Sequence, residues 1–197
     1  MTYDKSITYQ KGLFEGINRE CDIYLKVLHA TCKGKKVIDI ACNTGFYTIK
    51  AYEFGANIAF GFDSNKEVLN AIPKDIISKR LYFEHKDFWE YLLIAEKYDI
   101  VLCNNCFYHI VTCDKIKEGF KILNDLSFRH LLMINKFFNF PGHISKELGD
   151  GWGNKYVVTY EEFKADLEKN TDFKIFYNKL LITDNITEKR FLWAIKD

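Results

Sequence analysis

Only two prolines, Pro73 and Pro141, interrupt this 197-residue chain, so its backbone has few forced breaks. No run of Lys or Arg is longer than a pair, and the formal net charge is +1. That balance argues against a chain built around a polyanion or an anionic membrane surface. The opening MTYDKSITYQKGLFEGINRE lacks the apolar block of a signal peptide, and no later stretch has the length to span a bilayer. A cytoplasmic location is therefore expected, with no membrane partner. Without export, Cys21, Cys32, Cys42, Cys103, Cys106 and Cys113 read as reduced thiols rather than a disulfide framework. Internal repeats and low-complexity segments are also missing. What remains is an ordinary globular balance, 48% hydrophobic and 28% charged, with a high aromatic share of 16%. The length suits one domain over 1–197, led by an N-terminal helical segment over 1–35.

The most informative stretch is Lys36–Gly45, KVIDIACNTG. The apolar run Val37–Ile40, broken only by Asp39, ends in a small-residue turn and passes straight into a helical pattern. Such a turn lets backbone approach a ligand closely. A second apolar run, Ala56–Phe62, ends on Asp63, 24 residues after Asp39. In a strand–turn–helix–strand unit that acid lies beside the first turn, where it can accept both hydroxyls of a ribose.

The rest of the chain continues the alternation. Leu13, Ile17, Cys21, Tyr24 and Leu28 predict an amphipathic helix over about 12–30, ahead of the first strand. The first strand spans Lys36–Ala41, and its helix starts near Gly45 and stops at Gly55. The second strand is Ala56–Asp63, after which Ser64 and Glu67 have the spacing of a capping box. Leu81–His85 and Tyr98–Cys103 read as strands three and four, with an apolar helical stretch, Trp89–Ala95, between them. Asn104–His109 reads as a loop, Asp114–Leu126 as a helix and His130–Ile134 as strand five. Thr159 and Glu162 cap a last helix. Phe173–Ile182 and Phe191–Ile195 read as an antiparallel pair, since no helical pattern separates them. The order predicts a doubly wound α/β fold: a mostly parallel seven-stranded sheet with an antiparallel C-terminal strand and helices on both faces. The irregular stretch 135–158, with Pro141 and GDGWG, reads as a candidate substrate lid.

Two cofactors compete for the first turn. The nicotinamide fingerprint wants small residues at relative positions 0, 2 and 5, and Phe46 at the third is a poor fit. An acid two residues before the first small position and a glycine four after it fits Asp39, Ala41, Asn43 and Gly45. That spacing resembles class I S-adenosylmethionine-dependent methyltransferases, whose first motif reads roughly D-x-G-x-G-x-G; here it is D-I-A-C-N-T-G. Ala41 and Asn43 replace two glycines; Asn tolerates positive φ, whereas Ala41 adds a methyl where backbone nears the ligand. The stretch YDIVLCNNCFYHI resembles the family's fourth-strand region. GNKYVVTYEEFKADL further resembles the branch containing wobble-uridine tRNA carboxymethyltransferases.

The resemblance implies S-adenosyl-L-methionine as cofactor, with Asp39, Ala41, Cys42, Asn43, Gly45, Phe46, Asp63, Ser64, Asp87, Phe88 and Asn104 around it. Asp63 takes the ribose, while Asp87 and Phe88 take the adenine. Tyr108, His109, His143 and Trp152 are the candidate substrate-binding residues, and His109 is the candidate base. Methyl transfer is an in-line displacement that needs alignment and dryness but no covalent residue. The expected function is methyl transfer to an O or N acceptor of a small molecule. The second reading is an RNA or tRNA methyl or carboxymethyl transferase, disfavoured by the neutral charge balance. The third is an NAD-dependent oxidoreductase or a silent nucleoside-binding module. No metal is expected: Cys103 and Cys106 form C-x-x-C without a second ligand pair and read as buried, apolar-like thiols. Oligomeric state is not readable from these residues.

Overall fold

A computed structural model describes residues 19–93, 96–139, 155–183 and 185–197. Their elements run in the order α1 (Arg19–Cys32), β1 (Lys36–Ile40), α2 (Phe46–Glu53), β2 (Ile58–Asp63), α3 (Lys66–Asn70) and β3 (Leu81–His85). A 3-10 turn over Phe88–Leu93 leads to β4 (Tyr98–Asn104) and α4 (Phe107–Ile110). Then come α5 (Ile116–Leu126), β5 (Ser127–Phe138), α6 (Tyr160–Asn170), β6 (Phe173–Thr183) and β7 (Thr187–Lys196). Seven strands among the described residues form one mixed sheet in the order β3-β2-β1-β4-β5-β7-β6. This is the expected doubly wound α/β architecture.

The chain divides into two compact units. One runs to Phe88 and includes Tyr98–Leu102; the other comprises Trp89–Lys97 and Cys103–Asp197. In the first, β1, β2 and β3 pair in parallel, with Asp39 opposite Gly61 and Asp63 opposite His85. Val37, Ile38 and Ile40 are fully buried, as expected of a parallel strand covered on both faces. On α1, Tyr24, Leu28 and Cys32 recur every four residues and are fully buried, and the Tyr24 ring sits 4.7 Å from that of Tyr47 on α2. The part of the expected N-terminal helix over 12–18 lies outside the described residues.

In the second unit β5 pairs antiparallel with β7 from His130–Ile195 to Phe138–Thr187, and β6 pairs antiparallel with β7. Phe107, Phe120, Phe137, Tyr156 and Phe163 form a shared aromatic core, with ring centroids 5.0 Å apart for Phe107–Phe120 and 5.2 Å for Phe137–Phe163. Thr159 caps α6 as expected: its hydroxyl accepts from Glu162 N, and Glu162 Oε2 accepts from Thr159 N.

Several boundaries differ from expectation. β5 is twelve residues rather than five, and it runs on past Ile134 because residues through Phe138 find partners on β7. The short helix α4 begins inside the stretch read as the Asn104–His109 loop and ends at Ile110. The helical stretch expected over Trp89–Ala95 is a 3-10 helix over Phe88–Leu93, and 94–95 lie outside the described residues. The cap of α3 is Asn65, not Ser64: Asn65 Oδ1 accepts from Glu67 N at 2.9 Å.

Candidate functional site

The first unit gathers most of the predicted binding residues around the turn after β1. Asp39 is 2% exposed, and its Oδ2 accepts from Thr48 Oγ1 at 2.7 Å. Burial pushes its carboxyl up to about 7; the Thr48 hydroxyl opposes that shift and the Asp63 charge adds to it. Asp39 therefore braces the turn from beneath through α2.

The turn itself is left-handed at Ala41 (φ 51°) and Asn43 (φ 52°), and again at Gly45 (φ 79°). The chain adopts a glycine-type path with two side chains on it. Hydrogen bonds hold that path, among them Gly45 N to Cys42 O at 2.9 Å. Cys42 N donates to Phe62 O at 2.9 Å, Asn43 N to Asp63 Oδ2 at 2.9 Å, and Thr44 N to Asn43 Oδ1 at 2.8 Å. Cys42 and Phe46 are buried, at 2% and 5% exposure. Burial pushes the Cys42 thiol up, reinforced by the charges of Asp39 and Asp63.

Asp63 ends β2 partly exposed. Its Oδ2 takes the Asn43 N–H and its Oδ1 takes Asn65 N–H at 2.8 Å. A carboxylate has about four lone-pair sites, so each oxygen keeps one for a diol. Ser64 and Asp87 are exposed, and Phe88 is buried at 3%. Sequence reasoning placed Gly45 in this turn but missed Gly61, which lies opposite Asp39 on β2. A Cβ on Gly61 would lie 2.7 Å from Thr48 Oγ1 and 2.9 Å from Cys42 Sγ; one on Gly45 would lie 2.6 Å from the Phe83 ring. Both positions are sterically closed to larger residues. The lone glycine inside the β2 run was the available signal.

The second unit holds the other predicted residues. Asn104 Oδ1 accepts from Ile134 N at 3.0 Å, and Asn105 N donates to Ile134 O at 2.7 Å, so this turn is stitched to β5 from both ends. Asn105 is left-handed (φ 55°). Among the described residues, Asn105 Oδ1 and Asn135 Oδ1 are buried without a hydrogen-bond donor. Tyr108 is 7% exposed, and the exposed His109 lies ring to ring with it at 4.1 Å. Lys155 Nζ donates to His109 O. Partial burial of the ring lowers the His109 pKa, and the charges of Lys155 and Lys136 lower it further. That direction favours the neutral imidazole. Neither lysine was singled out from sequence. His143 and Trp152 lie outside the described residues.

Comparison with known proteins agrees with the fold. The pattern of a family described as a methyltransferase domain matches residues 32–184. The chain is 31% identical over 88 residues to the tRNA U34 carboxymethyltransferase of Sulfurimonas denitrificans, covering 41% of this chain and 28% of that protein. It spans less than a third of the length of the curated relatives it matches. Magnesium protoporphyrin IX methyltransferase from Synechocystis PCC 6803, with bound S-adenosylhomocysteine, superposes with a TM-score of 0.69. Identity there is 21%, covering 96% of this chain and 87% of that one. The 1,6-didemethyltoxoflavin-N1-methyltransferase of Burkholderia thailandensis gives a TM-score of 0.68 at 16% identity, covering 98% and 84%.

Proposed function

This chain belongs to the methyltransferase-domain family, and we propose from there that it methylates an oxygen or nitrogen of a small molecule. S-adenosylmethionine is the cofactor; when bound, it supplies a methyl carbon on a sulfonium with a good thioether leaving group. The residues after β1 suit its nucleoside part. Asp63, with one lone pair left on each oxygen, accepts the two ribose hydroxyls. Asp87, exposed after β3, receives the adenine amine, and buried Phe88 anchors that segment. The Ala41–Gly45 turn brings backbone against the ligand, and Asp39 fixes it through Thr48. Within the second unit, Asn104 is held to β5 through its side-chain amide.

The observation that favours an O or N acceptor is His109. Partial burial and two lysines favour its neutral form, which can take the proton of a hydroxyl acceptor as the new bond forms. An amine acceptor would need only alignment. The formal charge of +1 favours a small molecule over a polyanion. A second reading, transfer to RNA, is supported by the tRNA U34 carboxymethyltransferase relatives, although the match covers only 41–46% of this chain.

Titration calorimetry with S-adenosylhomocysteine tests the cofactor assignment. Asp63→Ala is expected to weaken binding by about 1.5–3 kcal/mol, as for a hydrogen bond to a charged group; unchanged affinity rejects the ribose role. Release of S-adenosylhomocysteine is then compared across hydroxyl- and amine-bearing small molecules and tRNA transcripts. Turnover confined to tRNA would overturn the small-molecule reading.

A further inference from the structure

The four residues Cys103-Asn104-Asn105-Cys106 close on themselves. Cys103 ends the buried run of β4 and Cys106 precedes α4, and their Sγ atoms lie 3.3 Å apart. Both are buried, Cys103 at 1% and Cys106 at 7% exposure. Among the described residues, no group of three His, Cys, Asp or Glu side chains could hold a metal ion. Two thiols in contact share one chemistry, two-electron oxidation to a disulfide.

We propose that Cys103 and Cys106 are an oxidisable dithiol, whose cross-link pins the Asn104–Asn105 turn. The geometry is close to bonded already. Shortening 3.3 Å to the roughly 2.05 Å of an S–S bond needs a movement of about 1.3 Å. The backbone between is held by the two bonds to Ile134, so rotation about the cysteine side chains supplies the movement. The oxidant is a hydroperoxide. The Cys106 thiolate, the more exposed of the two, attacks one peroxide oxygen; the O–O bond breaks, and the departing hydroxide takes a proton to become water. The Cys103 thiolate then attacks the sulfenic sulfur of Cys106, forming S–S and expelling the second hydroxide as water with the second thiol proton. Two thiols lose two electrons and one peroxide becomes two waters.

The peroxide reaches Cys106 through opening of α4, a single helical turn whose amides at His109 and Ile110 bond back to Cys106 O. Closing the bond restricts that same opening. It also fixes the entry into the helix that carries His109. A reducing cytosol would return the pair to thiols, giving a reversible modification site.

The test treats the native protein with one equivalent of hydrogen peroxide, blocks remaining thiols with N-ethylmaleimide, and maps peptides by mass spectrometry. The expected product has lost two hydrogens, with the Cys103–Cys106 bond at least tenfold over any other pair, including those with the half-exposed Cys113. Hydrogen exchange at the Asn105 and Ile110 amides should slow at least tenfold in the oxidised protein and recover with dithiothreitol. Cys103→Ser should instead leave Cys106 as a sulfenic acid trapped by dimedone. Oxidation of Cys113 ahead of the pair, a cross-link that forms only in denaturant, or unchanged exchange after cross-linking would each overturn the proposal.

Discussion

Ala41 is the residue whose replacement most directly tests the reading of the turn. Its φ of 51° places an L-residue with a Cβ in the left-handed region. That conformation costs an L-residue roughly 1–2 kcal/mol. Glycine removes the strain but makes the unfolded chain more flexible, which costs about 0.4–1 kcal/mol. Ala41→Gly is therefore expected to stabilise the protein by about 0.5–1 kcal/mol, or about 1–4 °C in Tm for a chain of this length. Asn43→Gly is the matched control. Its φ is 52°, but Asn tolerates that region and its Oδ1 accepts from Thr44 N. Removing that bond offsets the relief of strain, so its Tm should stay within about 1 °C of wild type. Both are read by thermal and urea unfolding of the purified chain, with no cofactor added. A fall in Tm for Ala41→Gly would mean that Ala41 is not strained, and the account of the turn would fail.

Two further outcomes follow from the electrostatics. Burial raises Asp39 from 3.8 unfolded to about 7 folded, so the folded state holds its proton more tightly. Its contribution to stability is full below about pH 4 and is lost as pH rises towards 7, by at most about 4 kcal/mol at 1.36 kcal/mol per unit. Urea midpoints of wild type and Asp39→Asn should diverge across that window, and parallel curves from pH 4 to 8 would reject the shift. For His109, burial is the first cause of its lowered pKa and Lys155 the second. Lys155→Met should therefore raise the imidazole pKa in an NMR titration, whereas an unchanged or lower value would remove Lys155 from the account.

The alternation of apolar runs was enough to read strand order class, and the spacing from Asp39 to Gly45 was enough to place the turn. What escaped were features decided by distant partners. β5 extends through Phe138 because β7 offers a matching edge, information absent from His130–Ile134 itself. Ser64 and Asn65 both have side chains able to cap α3, and Asp63 settles the choice by bonding Asn65 N, which fixes the backbone at the cap. The bond from Ile134 N to the Asn104 amide oxygen likewise depends on β5, a partner thirty residues away in sequence. Lys155 sits in an irregular stretch where no periodicity marks it, and only tertiary placement brings it to His109.

The double acceptance by Asp63 has a kinetic consequence. Because one carboxylate ties Asn43 and Asn65 together in the folded chain, the backbone that we propose faces the cofactor has its shape before any ligand arrives. Association then requires no ordering of that segment, so little conformational entropy is lost there on binding. Affinity differences among adenosine-bearing ligands should appear in how fast they leave rather than in how fast they arrive. The turn acts as a mould set during folding, and its defects should register first in the stability of the protein.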